Sequence, residues 1–247
     1  MSTDEAHTLS VVVEGALDRA VLLGLQDAGL LEQGASFRPI EGSAGGTTTL
    51  VARGAPLLKT GLAALFVRDL DRGEYDDHAS WFRTELEAQV DVTALSAEAD
   101  GRVLVANVKG DNVPTRAVLV IAGLPGDDAL VRLGVKSFTL DDYVLRLAMD
   151  RQVYESTGQL GQLVDYDRAW NKMKEVRHLF DANGIPLDGS KRLLETLRAI
   201  TGFAVAPATF AQRVLDSASA ANVDLQALAA PLAADFALGS RLARGRP

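Results

Sequence analysis

The sequence predicts an α/β fold, a mostly parallel sheet flanked by helices, with a helical C-terminal part. Three observations carry this. Short, β-branched apolar runs alternate with helix-periodic segments as far as Ile121, which is the pattern of strands joined by crossover helices. The runs are apolar throughout rather than alternating, as expected of strands buried on both faces. From Leu140 onward every periodic segment is helical. A chain of 247 residues, 47% of them apolar, can bury one sizeable core or two modest ones. The change of pattern divides it into residues 1–150, an α/β domain, and residues 151–247, a helical region.

The first strand is Leu9 to Val13, ended by Glu14-Gly15. Leu17, Ala20, Val21, Gly24 and Leu25 then recur at helical spacing, with Gly29 at the natural stop. Phe37 to Ile40 reads as a second strand, followed by the glycine-containing stretch Gly42 to Gly46. Thr47 to Lys59 reads as a helix whose middle Gly54 and Pro56 weaken. Ala63 to Val67 is a third strand, stopped by the charges of Arg68-Asp69-Leu70-Asp71. A helix starts near Asp76 and runs through Trp81, Phe82 and Leu86, its acids placed where the helix dipole favours them. Val103 to Val108 and Ala117 to Ile121 are two more strands. Leu140, Tyr143, Val144 and Leu147 then form a helical stripe, and Tyr166 to Phe180 a long helix stopped at Asn183 to Pro186. Lys191 to Thr201, Thr209 to Ala220 and the alanine-rich Leu225 to Leu238 complete the set, with a frayed tail expected from Gly239 to Pro247.

Composition removes several chemistries. With no cysteine there is no disulfide, thiolate zinc site, iron–sulfur cluster or cysteine nucleophile. Three scattered histidines, His7, His78 and His178, form no metal motif, so metal chemistry here points to carboxylates and a hard cation. Met1 to Ser10 lacks the basic and apolar stretches of a secretory signal. No apolar run approaches the roughly 20 residues that cross a bilayer, so the expectation is a soluble, cytoplasmic protein with no membrane partner. The formal charge is −8 and is concentrated in residues 1–150, which excludes a uniformly basic coat for nucleic acid but not a local basic groove.

Polar residues just beyond parallel strands lie where ligands bind in open α/β sheets. Glu14 closes the first strand, and Asp69 with Asp71 closes the third. In an extended stretch residues two apart point the same way, so Asp69 and Asp71 are matched to a shared cation. Magnesium takes one or two carboxylates and fills its shell with waters and substrate phosphates. Such a set suits phosphoryl transfer or phosphodiester cleavage.

Val11-Val12-Val13-Glu14-Gly15-Ala16-Leu17-Asp18 resembles the first motif of the Toprim superfamily, an apolar strand running into Glu-Gly with an Asp four residues after the Glu. Phe66-Val67-Arg68-Asp69-Leu70-Asp71 resembles its second, a strand running into Asp-x-Asp, and Gly42 to Gly46 resembles the loop between them. The resemblance covers the first half of the chain. It implies a Toprim-type sheet, Glu14 as general acid/base or metal ligand, Asp69 and Asp71 as holders of Mg²⁺ (or Mn²⁺), and Asp18 as a further metal ligand. Topoisomerases of the superfamily carry a third acid where this chain has Gly73. Neither the accessory modules of a bacterial primase nor an ATPase P-loop is visible, so the likeness is to the small stand-alone Toprim proteins.

The implied activity is a magnesium-dependent nuclease or related enzyme acting on DNA or RNA phosphodiester bonds, of the kind used in DNA repair. The alternative is a nucleic-acid-binding or interaction module of a replication or repair assembly with no turnover of its own, docking a protein partner through the helical C-terminal region. A doubly wound protein for a small phosphorylated ligand ranks last, because no G-x-G-x-x-G or P-loop is present. Gly15, Arg68, Arg72, Lys109 and Lys136 are the substrate-binding candidates: Gly15 for close backbone approach, the cations for phosphate. Asp76 and Asp77 read as helix caps, His78 as a surface or helix-start histidine rather than a base, and Asp141-Asp142 as helix N-terminal acids. Trp81, Phe82, Trp170 and Phe180 read as packing residues. Arg241, Arg244 and Arg246 read as exposed cations.

Overall fold

The computed structural model describes residues 9–39, 47–111, 113–158, 164–203, 205–220 and 224–245. The glycine-containing loop from Gly42 to Gly46 lies outside the described residues. The chain forms a mixed α/β fold whose residues fall into two compact units: residues 1–68, 73–122 and 230–247, and residues 69–72 and 123–229. Residues 123–150 therefore group with the helical part, and most of the last helix groups with the sheet.

The first unit is a six-stranded, mostly parallel sheet of order β2-β1-β3-β6-β5-β4. Its strands are β1 (Leu9–Val13), β2 (Ala35–Pro39), β3 (Ala64–Asp69), β4 (Asp91–Glu98), β5 (Val103–Gly110) and β6 (Val113–Ala122). The helices are α1 (Ala16–Asp27), α2 (Thr47–Lys59) and α3 (Tyr75–Glu87). β1 pairs in parallel with β2 and with β3, with Val11 opposite Phe37 on one side and Leu65 on the other. β4, β5 and β6 form a meander in which β5 pairs antiparallel with both of its neighbours. The sequence reading passed over β4, and the reason is visible in its environment. It is an edge strand, exposed along most of its length, so no apolar run marks it.

Successive residues of a strand face opposite sides of the sheet, and β3 shows which helix covers each. Phe66 meets α2: a Cβ added at Gly54 would lie 2.4 Å from the Phe66 ring. Gly54 thus permits close helix-on-sheet packing instead of breaking α2, which runs unbroken through Pro56. Leu65 faces the other way, toward the last helix, where a Cβ at Gly239 would lie 2.9 Å from Val120 and 3.1 Å from Leu65.

That last helix corrects the expected frayed tail. It runs from Leu225 to Arg244 and keeps Ser240 and Ala243 buried. Phe236 stacks obliquely on Phe37, and the buried Asp235 accepts a 2.8 Å hydrogen bond from Arg102. Arg116 donates to the Leu242 carbonyl at 2.9 Å, and Arg244 pairs with Glu32. Gly239 looks like a weak helix end in sequence, yet it is what lets the helix lie close to the sheet. Ending the chain at Leu238 is expected to lower stability by about 2–3 kcal/mol, through lost burial and hydrogen bonds. A frayed tail would be removable with no change in melting temperature.

The second unit is helical: α4 (Asp128–Arg132), α5 (Asp141–Ala148), α6 (Arg151–Ser156), α7 (Tyr166–Ala182), α8 (Ser190–Thr201) and α9 (Pro207–Ala220); the Leu225–Arg244 helix, α10, belongs mostly to the first unit. Pro207 is the first residue of α9, where its missing N–H is harmless. α5 is buried on nearly all sides, with only Arg146 partly exposed, and packs against α8 and α9. Among the described residues no helix is long and apolar enough to cross a membrane.

Candidate functional site

Of the residues singled out in sequence, Glu14, Gly15, Asp18, Arg68 and Lys109 belong to the first unit, and Asp69, Asp71, Arg72 and Lys136 to the second. In the first unit the parallel pairing of Val12 with Phe66 carries Glu14 and Arg68 off adjacent strand ends. Arg68 Nε lies 3.9 Å from Glu14 Oε1, and its guanidinium sits 3.9 Å from the centroid of the Trp81 ring, an arrangement favoured by the ring's negative face. Arg68 Nη1 is 3.0 Å from His78 Nδ1. A guanidinium has no lone pair to offer, so in this contact Arg68 donates and Nδ1 accepts. His78 lies near the start of α3, as the helix-start reading has it, but not at the surface: it is 3% exposed and meets Arg68, whose guanidinium Trp81 covers on one face. Trp81 and Phe82 do pack as expected, 6.2 Å apart, with Phe82 against Phe66.

Gly15 is the N-cap of α1, and its N–H donates to Asp18 Oδ2 at 2.7 Å. Asp18 thus closes the first turn of its own helix, where the dipole also favours a carboxylate. Asp77 does the same for α3, accepting from the Glu74 N–H at 3.2 Å, as the capping reading of that acid expected. Lys109 stands apart from this corner. It lines an open cleft of about 310 Å³ with Lys59, Gln89 and Asp91. Lys59 ends the helix that leads into the start of β3, whereas Glu14 and Arg68 lie at its finish.

In the second unit the segment Ser137–Leu140 lies along Asp69–Arg72. Asp71 and Phe138 exchange both backbone hydrogen bonds, N–H to O at 2.7 and 2.9 Å. Asp69 Oδ1 accepts the Leu140 N–H at 2.8 Å, an orphan donor at the start of α5. Asp71 Oδ1 accepts from Ser137 Oγ at 3.4 Å. Both carboxylates therefore engage the same four-residue segment. They do not reach it by simple alternation along a strand, because Asp71 adopts a left-handed backbone, φ 54°, which short polar side chains tolerate best after glycine. Arg72 pairs with Asp188. The exposed Lys136 touches the same loop through its N–H, which donates to the Asp188 carbonyl at 2.7 Å.

Asp142 is the residue that sequence reasoning missed. It is a helix N-terminal acid as the sequence suggests, but its side chain is fully buried. Its Oδ2 accepts from the N–H groups of Leu124 (2.8 Å) and Thr139 (3.1 Å), and its Oδ1 from the Ser190 hydroxyl. The one signal was its company: Tyr143, Val144, Leu145, Leu147 and Ala148 of the same short helix are all buried, which leaves little surface for its acids. Burial pushes its carboxyl up to about 6, against the lowering effect of those three hydrogen bonds, with a smaller push from Asp127. The folded state therefore holds this proton more tightly than the unfolded chain. The resulting penalty is absent below about pH 4, grows between about pH 4 and 6 and is fully present above. Asp142→Asn removes it. The stability of that variant relative to wild type is expected to rise by up to about 3 kcal/mol from pH 4 to pH 7, as read from urea melts at the two pH values.

Among the described residues no three His, Cys, Asp or Glu side chains form a group placed to hold a metal ion. The donor chemistry of Asp69 and Asp71 alone still meets what magnesium needs, since that ion takes one or two carboxylates and keeps waters in its remaining positions. The chain matches no protein-family model, no curated protein and no solved structure.

Proposed function

We propose that the chain is a magnesium-dependent, Toprim-like enzyme acting on nucleic-acid phosphodiester bonds, a nuclease by reaction class. The observation that carries this reading is the Asp69-x-Asp71 pair. Its two carboxylates engage one short segment at the end of the parallel strand β3, and the neighbouring parallel strand β1 runs into Glu14-Gly15. Asp69 and Asp71 would hold the ion, which when bound supplies charge stabilisation at the phosphate and an acidified water. Leu140 orients the Asp69 carboxylate through its N–H. In the first unit Arg68, held by His78 and Trp81, lies 3.9 Å from Glu14, for which the Toprim resemblance implies a role as general acid/base or metal ligand. Arg72, its side chain 61% exposed, offers a cation to substrate phosphate.

Purified protein incubated with single- and double-stranded DNA and RNA tests this in the presence of Mg²⁺ or Mn²⁺. Metal-dependent cleavage is the expected result, and absence of cutting or joining across the whole panel overturns the enzymatic reading. One observation favours a binding module without turnover instead: the Asp69 carboxylate already serves as acceptor for the first turn of α5. Binding to the same panel without product is the outcome that reading requires.

A further inference from the structure

We propose that Asp142 is a positioning residue for the Asp69/Asp71 pair, acting through the backbone of Ser137–Leu140. The inference rests on the reading of Asp69 and Asp71 as the metal-holding acids, and its connections are all within the second unit. Asp142 Oδ2 fixes the Thr139 N–H at 3.1 Å. Thr139 Oγ1 in turn accepts the Asp141 N–H at 3.2 Å, so the turn into α5 is closed from both sides. The residues on either side of Thr139 are the ones that grip the acids: Phe138 holds the main chain of Asp71, and Leu140 holds the carboxylate of Asp69.

The other partners of Asp142 tie this turn to two further places. Its second bond on Oδ2 holds Leu124, beside Gly123, where an added Cβ would come 2.9 Å from Phe138 Cβ. Its Oδ1 holds Ser190 at the start of α8. Ser190 follows the Asp188-Gly189 loop, where Asp188 pairs with Arg72 and Gly189 bridges to Ser137. One buried carboxylate thereby cross-links the Ser137–Leu140 segment, which grips the acids, to Leu124 and to Ser190. A side chain that merely filled space would not need three donors converging on it, and an acid without a structural task would not be kept fully buried.

Hydrogen bonding, rather than charge, does this work, and that sets the test. Asn at this position keeps an acceptor for the two N–H groups and turns its amide toward Ser190, whose hydroxyl can accept as well as donate. Alanine leaves all three donors unpaired. With the full-length protein, Mn²⁺ alone is titrated by electron paramagnetic resonance, and kcat and KM are measured on the best-cut nucleic acid. Asp142→Ala is expected to weaken Mn²⁺ binding and lower kcat by about 10- to 100-fold, with KM for nucleic acid within about twofold, the range seen when groups supporting metal ligands are removed. Asp142→Asn stays within about threefold of wild type on both measures.

A folded Asp142→Ala protein with wild-type Mn²⁺ affinity and kcat overturns the proposal, and so does an Asn variant as impaired as the Ala variant. If Asp142→Ala fails to fold, Ser190→Ala removes one of the three bonds and is expected to give a partial loss of about threefold in both readouts; no loss there overturns the proposal. Failure of the underlying reading looks different. In that case wild type and Asp69→Asn bind Mn²⁺ equally, whereas failure of the positioning role alone leaves Asp69→Asn weakened and Asp142→Ala unchanged.

Discussion

Asp69→Asn is expected to reduce metal-dependent cleavage by at least about 100-fold in kcat, with the melting temperature unchanged to within about 2 °C. The substitution separates two tasks of one side chain. Asn retains an oxygen to accept the Leu140 N–H, now bonded at 2.8 Å, so the start of α5 stays capped. What it loses is the negative charge and one hard donor, which a divalent cation requires and a helix start does not. Asp69→Ala loses both, and is expected to be inactive and also less stable by about 1 kcal/mol, the ordinary worth of such a hydrogen bond. The Asn and Ala variants together therefore distinguish chemistry from scaffolding. A fully active Asp69→Asn enzyme would remove the acid pair from the mechanism.

Gly110→Ala is expected to be among the most destabilising single methyl additions in the chain, by about 3 kcal/mol or roughly 10 °C in melting temperature. The residue ends β5 and pairs with Val113 across the turn into β6. Its backbone is not left-handed, so alanine is conformationally allowed, and the penalty comes from space alone. A Cβ there would lie 2.1 Å from the Leu58 carbonyl oxygen and 2.6 Å from Lys59 Cα. Both are main-chain atoms of the last turn of α2, so no side-chain rotation relieves the clash, and helix and strand must separate. Gly126→Ala is the matched control, since nothing lies within 4 Å of its added Cβ, and it is expected to change stability by no more than about 0.5 kcal/mol. Thermal melts of the two variants beside wild type decide the matter, and equal melting temperatures would refute the close approach of α2 to β5.

How much of this was legible in the sequence depends on where each residue's information lies. β1, β3, β5 and β6 were readable because each is a run of β-branched and apolar residues long enough to be buried on both faces. β4 was not, because an edge strand needs only main-chain partners on one side, and its Asp91–Glu98 sequence carries no apolar run. The acids of the candidate site were readable from their positions after strands, a local property. Their immediate environment was not: Leu140 and Phe138 grip Asp69 and Asp71 from about seventy residues away in the chain, and no local pattern encodes that meeting. His78 illustrates the same limit. Its place in the first turns of α3 was plain, whereas its burial follows from Arg68 arriving on a different strand.

Local chemistry thus determined the order of elements, the cap contributed by Asp77, and the placement of Glu14 and Asp69-x-Asp71 beyond apolar strands, since periodicity, turn residues and capping act over a few residues. Tertiary structure alone decided that the C-terminal helix continues to Arg244, that Gly54 and Gly239 are contact points rather than breaks, that Gly110 meets the end of α2, and that the helix-start acid Asp142 is a buried cross-link. Each of these depends on which distant surface comes within van der Waals or hydrogen-bonding reach. A glycine or an aspartate looks the same in sequence whether that surface is present or not.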